Sequence, residues 1–356
     1  MKLLLCTLDY PPRLGGVATY YENLIKSWPE AGAWTVLDNN QEALLTKTGP
    51  WRWRRAIAAL IKANRLNKPD LIFLGQILPL GPAALLANLF SPFKFGVFFH
   101  GMDLTFALKT PRKRFLTGLT CRRAKIIVCV NSHVKEILLA AWPKLADKII
   151  LLHPGATAIA SDSKIIEAFH QSYDLNGKKI IFSIGRLVKR KGFDQVIRAL
   201  NLVDNKDWRY LLAGDGPEAA SLKNLAAQSP YAKQIIFTGS LTEKEKWSCL
   251  NLCDIFITTS RDLDGDFEGF GIVYLEANLM GKPVIAGASG GVADAVIPGV
   301  NGLLVDPENP TAIAAAIMRL LNNPEEAKRL GRAGKDRAER DFSWAGQADK
   351  LYKKLI

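Results

Sequence analysis

Short, near-continuous apolar runs recur along this chain, each followed by a loop and an amphipathic stretch. Residues 2–7, 33–38, 71–74, 95–99 and 126–130 read as strands, with helical patterns at 17–27, 53–66, 81–90 and 112–121 between them. A strand that is apolar on both faces has no solvated side. It has to lie inside a sheet covered by helices above and below, which is the situation of parallel strands linked by helical crossovers. The pattern weakens from His153-Pro154-Gly155 to Ser172. It restarts at 179–184, 210–213, 235–238, 255–258 and 283–286. At 356 residues the chain exceeds one ordinary core. We therefore expect an α/β protein of two doubly wound, Rossmann-like domains: 1–158, a linker at 159–172, and 173–340. Residues 341–356 are expected to form a helix that packs back on the N-terminal domain.

In such sheets ligands bind beyond the carboxyl ends of the strands. Several unusual residues stand there: Gly15-Gly16, His100-Gly101, Gly185-Arg186, Gly214-Asp215-Gly216-Pro217 and Ser289-Gly290-Gly291. Two segments carry the chemistry. In Gly185-Arg186-Leu187-Val188-Lys189-Arg190-Lys191-Gly192, an arginine and a lysine five residues apart follow a strand. Arginine clamps two oxygens in one plane and lysine adds a point charge, a pairing suited to a diphosphate. In Glu268-Gly269-Phe270-Gly271-Ile272-Val273-Tyr274-Leu275-Glu276, the glycines let backbone approach a ligand and lead into a helix N-terminus with free N–H groups. A carboxylate one or two turns in can take both hydroxyls of a ribose. The run Asp262, Asp264 and Asp266 begins like a calcium loop, but its glycine and distal glutamate are misplaced, so it reads as a solvated acidic loop.

A Gly-Arg-Leu…Lys-Gly segment, a Glu-Gly-Phe-Gly…Glu segment and a Ser-Gly-Gly loop, in this order, resemble the retaining glycosyltransferases of family 4. The resemblance runs from Gly15-Gly16 through His100-Gly101 to Asn301-Gly302 and Phe342-Ser343-Trp344. The segment from Glu268 to Glu276 with its acidic insertion is also similar to bacterial phosphatidylinositol mannoside mannosyltransferases. The resemblance implies a GT-B fold, two Rossmann-like domains facing across a cleft, with the acceptor on the N-terminal domain and the nucleotide-sugar on the C-terminal one. Arg186 and Lys191 would neutralise the donor diphosphate. Glu276 would hold the ribose, Glu268 the donor sugar near its 3- and 4-hydroxyls, and His100 the region of its 6-hydroxyl. Phe270 and Gly271, with Ile272 beginning the helix, would present backbone N–H groups to sugar and phosphate. Gly15 and Gly16 would close over the phosphates. Gly185, Gly214, Gly216 and Ser240 would line the nucleotide through backbone. No metal or other cofactor is expected, since side-chain cations would meet the diphosphate.

Net charge is +13, and residues 1–155 hold nearly all of it: 21 Lys and Arg against 9 Asp and Glu. The cations cluster at Trp51-Arg52-Trp53-Arg54-Arg55 and along Lys109 to Lys125, interleaved with aromatic and aliphatic residues. Basic segments of this kind suit an anionic membrane surface. We expect a lipid-linked or otherwise anionic acceptor and a peripheral protein at the cytoplasmic face of the membrane. Residues 71–90 carry Gln76, Pro79, Gly81, Pro82 and Asn88 and read as strand, loop and helix, not as a membrane span. No signal peptide is visible, and five cysteines without paired spacing argue against a disulfide scaffold. No nucleic-acid-binding motif accompanies the charge. Gly15-Gly16 lacks the full dinucleotide glycine spacing, which weighs against a dehydrogenase. A pyridoxal-binding lysine context, required of a phosphorylase, is not found.

Overall fold

The structure, a computed structural model, describes residues 1–13, 15–46, 53–204 and 207–356; Trp51 and Arg52 of the first basic cluster lie outside these. The chain divides into two compact units, Met1–Gly155 with Trp344–Ile356, and Ala156–Ser343.

In the first unit, β1 (Leu3–Cys6), β2 (Trp34–Leu37), β3 (Leu71–Leu74), β4 (Phe95–Phe99), β5 (Ile126–Cys129) and β6 (Ile149–Leu151) form one sheet in the order β2-β1-β3-β4-β5-β6. All of its pairings are parallel. Every residue of β1, β3, β4 and β5 is buried, the physical reason these segments are apolar without alternation. The edge strand β2 is only half buried. Helix Gly16–Lys26 contributes Ala18, Tyr20, Tyr21 and Leu24 to the core. The terminal helix Trp344–Leu355 belongs to the same core through Trp344, Ala348 and Leu351. The Trp344 ring stands edge-on to Tyr20 at 5.4 Å, and its atoms would lie 2.7 Å from a Cβ at Gly155. Residues 71–90 split into β3 and helix Leu80–Phe90. Among the described residues no helix is long and apolar enough to cross a membrane.

In the second unit, β7 (Lys179–Ile184), β8 (Trp208–Ala213), β9 (Ile235–Gly239), β10 (Ile255–Thr258), β11 (Val284–Gly287) and β12 (Gly302–Val305) are ordered β12-β11-β10-β7-β8-β9. Ile181, Tyr210, Leu212, Ile257 and Ile285 enter one core, while Phe182, Leu211, Phe256 and Ala286 enter the other. Successive residues thus face opposite layers of helices. The chain winds outward in opposite directions from β7 and β10, which pair side by side with Ile181 opposite Ile255. Their exits form the switch point where a doubly wound sheet opens to a ligand. The segment 159–172 is largely helix, Ser163–Tyr173, capped by Asp162 and resting Phe169 and Tyr173 on the second unit's core. The strands that periodicity did not single out, β6 and β12, are both short edges.

Trp344→Ala should cost the first unit about 3 kcal/mol or more, because the emptied volume is walled by rigid backbone and rings. Hydrogen exchange should then quicken at β1 and β5 while β7 and β10 keep their protection. Equal loss in both sheets would contradict this assignment of the terminal helix.

Candidate active site

At the switch point the exit of β7 is stitched to the exit of β10. A single 3-10 turn, Lys189–Lys191, ends at Gly192. The Gly192 carbonyl accepts from the Thr259 hydroxyl at 2.8 Å, the Arg190 carbonyl from the Arg261 N–H at 2.8 Å, and the Lys189 carbonyl from Arg261 Nε at 3.0 Å. Gly192 has φ 69°, and a Cβ there would stand 2.0 Å from the Thr259 carbonyl oxygen, so only glycine allows this approach. Arg261 is itself held by Asp194 and Glu308. The basic turn is therefore a fixed object.

Glu268 lies under that turn, 8% exposed. Lys191 Nζ, Arg190 Nη1 at 3.0 Å and the Ser260 hydroxyl at 3.0 Å all donate to one of its oxygens, Oε2. Among the described residues none donates to Oε1. Burial alone would raise this carboxyl's pKa, but Lys191 and Arg190 outweigh burial and hold it at about 2. Glu268 is thus ionised at any physiological pH and can only accept hydrogen bonds. Arg186 is exposed and forms no ion pair among the described residues.

Glu276 sits in helix Ile272–Leu279, which starts behind Gly271 at φ 80°. Lys246 Nζ binds its Oε1 at 2.8 Å and also meets Glu243 at 2.9 Å. Burial raises the Glu276 pKa against the opposing pull of Lys246. Lys246 is presented by helix Glu243–Leu252, whose start is fixed by a reciprocal Thr242–Glu245 capping box. The Phe270 ring is buried against Phe342. Gly214 approaches the Gly185 carbonyl so closely that a Cβ would lie 2.0 Å from its oxygen. Ser240 is exposed beyond β9, and the Gly216 N–H is taken by Asp215 Oδ1 at 2.7 Å. The acidic run is not simply solvated: Asp266 Oδ1 lies 3.0 Å from Arg190 Nε, and Asp262 Oδ1 accepts from the Gly265 N–H at 2.8 Å.

In the first unit, exposed Gly15 and Gly16 open helix Gly16–Lys26 after β1, and His100 follows β4. His100 Nε2 is 2.7 Å from the Tyr21 hydroxyl, which gives its single proton to the Gly75 carbonyl at 2.7 Å. The imidazole must then be the Nε2–H tautomer, with Nδ1 left as an acceptor. Burial pushes its pKa down to about 3. Asp103 Oδ1 accepts from the backbone N–H groups of His100, at 3.0 Å, and Gly101, at 2.8 Å. That carboxylate therefore caps the turn that aims His100. The five cysteines are free and buried.

Residues 14–158 match the family model described as Glycosyltransferase Family 4, and residues 165–337 the model described as Glycosyl transferases group 1. The chain belongs to these glycosyltransferases. It is 26% identical, over 98% of its length and 97% of the relative's, to a GDP-mannose-dependent alpha-(1-6)-phosphatidylinositol monomannoside mannosyltransferase of Mycolicibacterium smegmatis. It is 27% identical, over 98% and 96%, to a monoacylated-substrate counterpart from Corynebacterium glutamicum. Among solved structures, Anabaena HepE in complex with UDP superposes with a TM-score of 0.85 at 19% identity, covering 100% of this chain and 99% of that one. The fold is GT-B. Of the residues expected from sequence, Lys191 and Glu268 touch and Glu276 lies on the same unit, while Gly15, Gly16 and His100 belong to the other. Arg190, Ser260 and Lys246 are additions that no motif signalled.

Nitrogen-15 NMR should find His100 as a neutral Nε2–H imidazole at about pH 5, well above its titration. An imidazolium forming near the ordinary histidine value of about 6.5 would contradict the desolvation of the buried ring.

Proposed function

We propose that the protein is a retaining glycosyltransferase that moves a hexose from a nucleotide-sugar to a lipid-linked or glycan acceptor at a membrane, with mannose from GDP-mannose the favoured donor. The observation that carries this reading is the pairing of Lys191 with Glu268 at the switch point. It brings a diphosphate-neutralising cation and a permanently ionised hydroxyl acceptor into contact. Arg186 and Lys191 would bind the leaving diphosphate, where negative charge grows in the transition state and fixed cations stabilise it most. Glu276, with Oε1 held by Lys246, would offer its other oxygen to the ribose hydroxyls. Phe270, Gly271 and Ile272 would add backbone donors, and Gly185, Gly214, Gly216 and Ser240 would line the nucleotide. His100 Nδ1 would accept a sugar hydroxyl, and Gly15 and Gly16 would meet the phosphates. Because the diphosphate's partners are side-chain cations, the mechanism requires no metal ion.

Retention would follow from attack on the face the diphosphate leaves, with a leaving-phosphate oxygen taking the acceptor proton. Double displacement needs a free carboxylate nucleophile. Glu268 is a poor one, since three donors converge on its Oε2 and hold its pKa at about 2. The near full-length likeness to GDP-mannose-dependent mannosyltransferases supports the donor. A second reading is a UDP-sugar donor with a soluble small-molecule or polysaccharide acceptor; HepE, which shares the fold, is solved with UDP and with UDP-glucose.

Membrane association is supported by the hairpin of helices Met102–Leu108 and Pro111–Arg123. Met102, Phe106 and Phe115 are exposed there by 59%, 48% and 67%, beside exposed Arg112, Arg114, Arg122 and Arg123. Lys113 Nζ lies 3.4 Å from the Phe106 ring centroid. Apolar wedges rimmed by cations fit the interface of an anionic bilayer at the cytoplasmic face.

Calorimetric titration should show GDP binding more tightly than UDP, and Arg186→Ala should weaken it by about tenfold or more while the variant stays folded. Retained affinity would refute the role given to Arg186, and a preference for UDP would favour the second reading. Co-sedimentation with phosphatidylglycerol vesicles should exceed that with phosphatidylcholine vesicles and fall with salt. Equal binding to both, or none, would refute the membrane assignment.

A further inference from the structure

We propose that Arg190, braced by Asp266, is a positioning residue that decides which oxygen of Glu268 meets the donor sugar. The proposal rests on the reading that Glu268 binds the sugar. The Arg190 guanidinium lies between two carboxylates, with Nε 3.0 Å from Asp266 Oδ1 and Nη1 3.0 Å from Glu268 Oε2. Its side chain is 18% exposed, and its backbone carbonyl is tied to the Arg261 N–H. Both its side chain and its backbone are thus held by contacts.

Lys191 has two claims on it. In this structure it donates to Glu268 Oε2, yet the same ammonium is the cation offered to the diphosphate. When it turns to the phosphates, Glu268 loses one of its three donors. Arg190 and the Ser260 hydroxyl remain, both on Oε2. They keep the carboxylate from rotating, so Oε1 stays presented to a hydroxyl.

The acidic turn supplies the brace. Leu263 and Asp266 exchange backbone hydrogen bonds of 3.1 and 3.0 Å around Asp264 at φ 53° and Gly265 at φ 85°. Successive positive φ values define a tight turn that holds its ends in register. This places the Asp266 carboxylate against Arg190. Asp266 Oδ1 is buried and makes no hydrogen bond among the described residues, so it meets Arg190 Nε as a neighbouring charge at 3.0 Å, and its value lies in holding the guanidinium in place. A lysine at 190 would keep the charge but would bring a single nitrogen to two carboxylates.

The test compares free nucleoside diphosphate with nucleotide-sugar, using GDP and GDP-mannose, or UDP and UDP-glucose if that pair binds more tightly. Arg190→Gln should leave nucleoside diphosphate affinity within about twofold and lower nucleotide-sugar affinity about tenfold or more, the loss expected for a misdirected charged hydrogen bond. Asp266→Asn, which leaves Arg190 and Glu268 themselves in place, should show the same selective loss at about threefold, and Arg190→Lys should recover it only in part. Equal loss of both ligands in Arg190→Gln would overturn the proposal, because Arg190 would then act on the diphosphate. Unchanged nucleotide-sugar binding in Arg190→Gln would overturn it as well. Should Arg190→Gln fail to fold, Asp266→Asn decides alone: no selective loss of nucleotide-sugar affinity would overturn the brace. Glu268→Ala separates the two readings. Selective loss there with none in the Arg190 and Asp266 variants removes the brace alone, whereas no selective loss in Glu268→Ala removes the sugar-site reading together with it.

Discussion

A carboxylate buried beneath two cations organises the second unit's ligand face. Glu268 could not stay ionised at 8% exposure without Lys191, Arg190 and Ser260, and it balances the two cations that the turn brings together. Breaking one side of such a pair leaves an uncompensated charge, at a cost of roughly 3–5 kcal/mol. The pair forms only because β7 and β10 are neighbours at the switch point of the sheet. Gly192 allows the two exits to touch, and Arg261 locks them from the far side. Fold, turn chemistry and electrostatics meet at one place.

The two carboxylates of the second unit's candidate site are built alike. Glu268 has Oε2 saturated and Glu276 has Oε1 held by Lys246, and in each the other oxygen receives no donor among the described residues. Each carboxylate is therefore oriented before any ligand arrives, which lowers the cost of binding hydroxyl groups. His100 follows the same logic in the first unit. Tyr21 and Asp103 fix its tautomer and its turn, and one ring nitrogen is left as an acceptor. Preorganisation of this kind suits a reaction in which charge develops on a leaving group.

Much of this was legible in the sequence because the physics is local. The strands that are buried on both faces read as continuous apolar runs, and glycines mark the places where exits approach one another. Arg190 was not legible: a basic residue beside a motif lysine looks like part of a solvated loop until Asp266 and Glu268, more than seventy residues on, are seen to face it. Lys246 hid in the same way. With Glu243 three residues before it, it reads as an ordinary helix-surface pair, and only the fold brings Glu276 against it. The acidic run looked solvated because a turn's reciprocal hydrogen bonds leave no mark in composition. Edge strand β6 is only three residues long, and β12 opens on a glycine directly after Asn301, a pair that reads as a turn.

The central claim is that the Lys191–Glu268 contact is the resting form of a nucleotide-sugar site. A crystal structure of the protein with its tighter-binding nucleotide-sugar, GDP-mannose or UDP-glucose, tests it most directly. The account predicts Lys191 Nζ on a diphosphate oxygen, Glu268 Oε1 accepting a sugar hydroxyl, and Oε2 still held by Arg190 and Ser260. A diphosphate bound away from Lys191, or a Glu268 that makes no contact with the sugar, would contradict it.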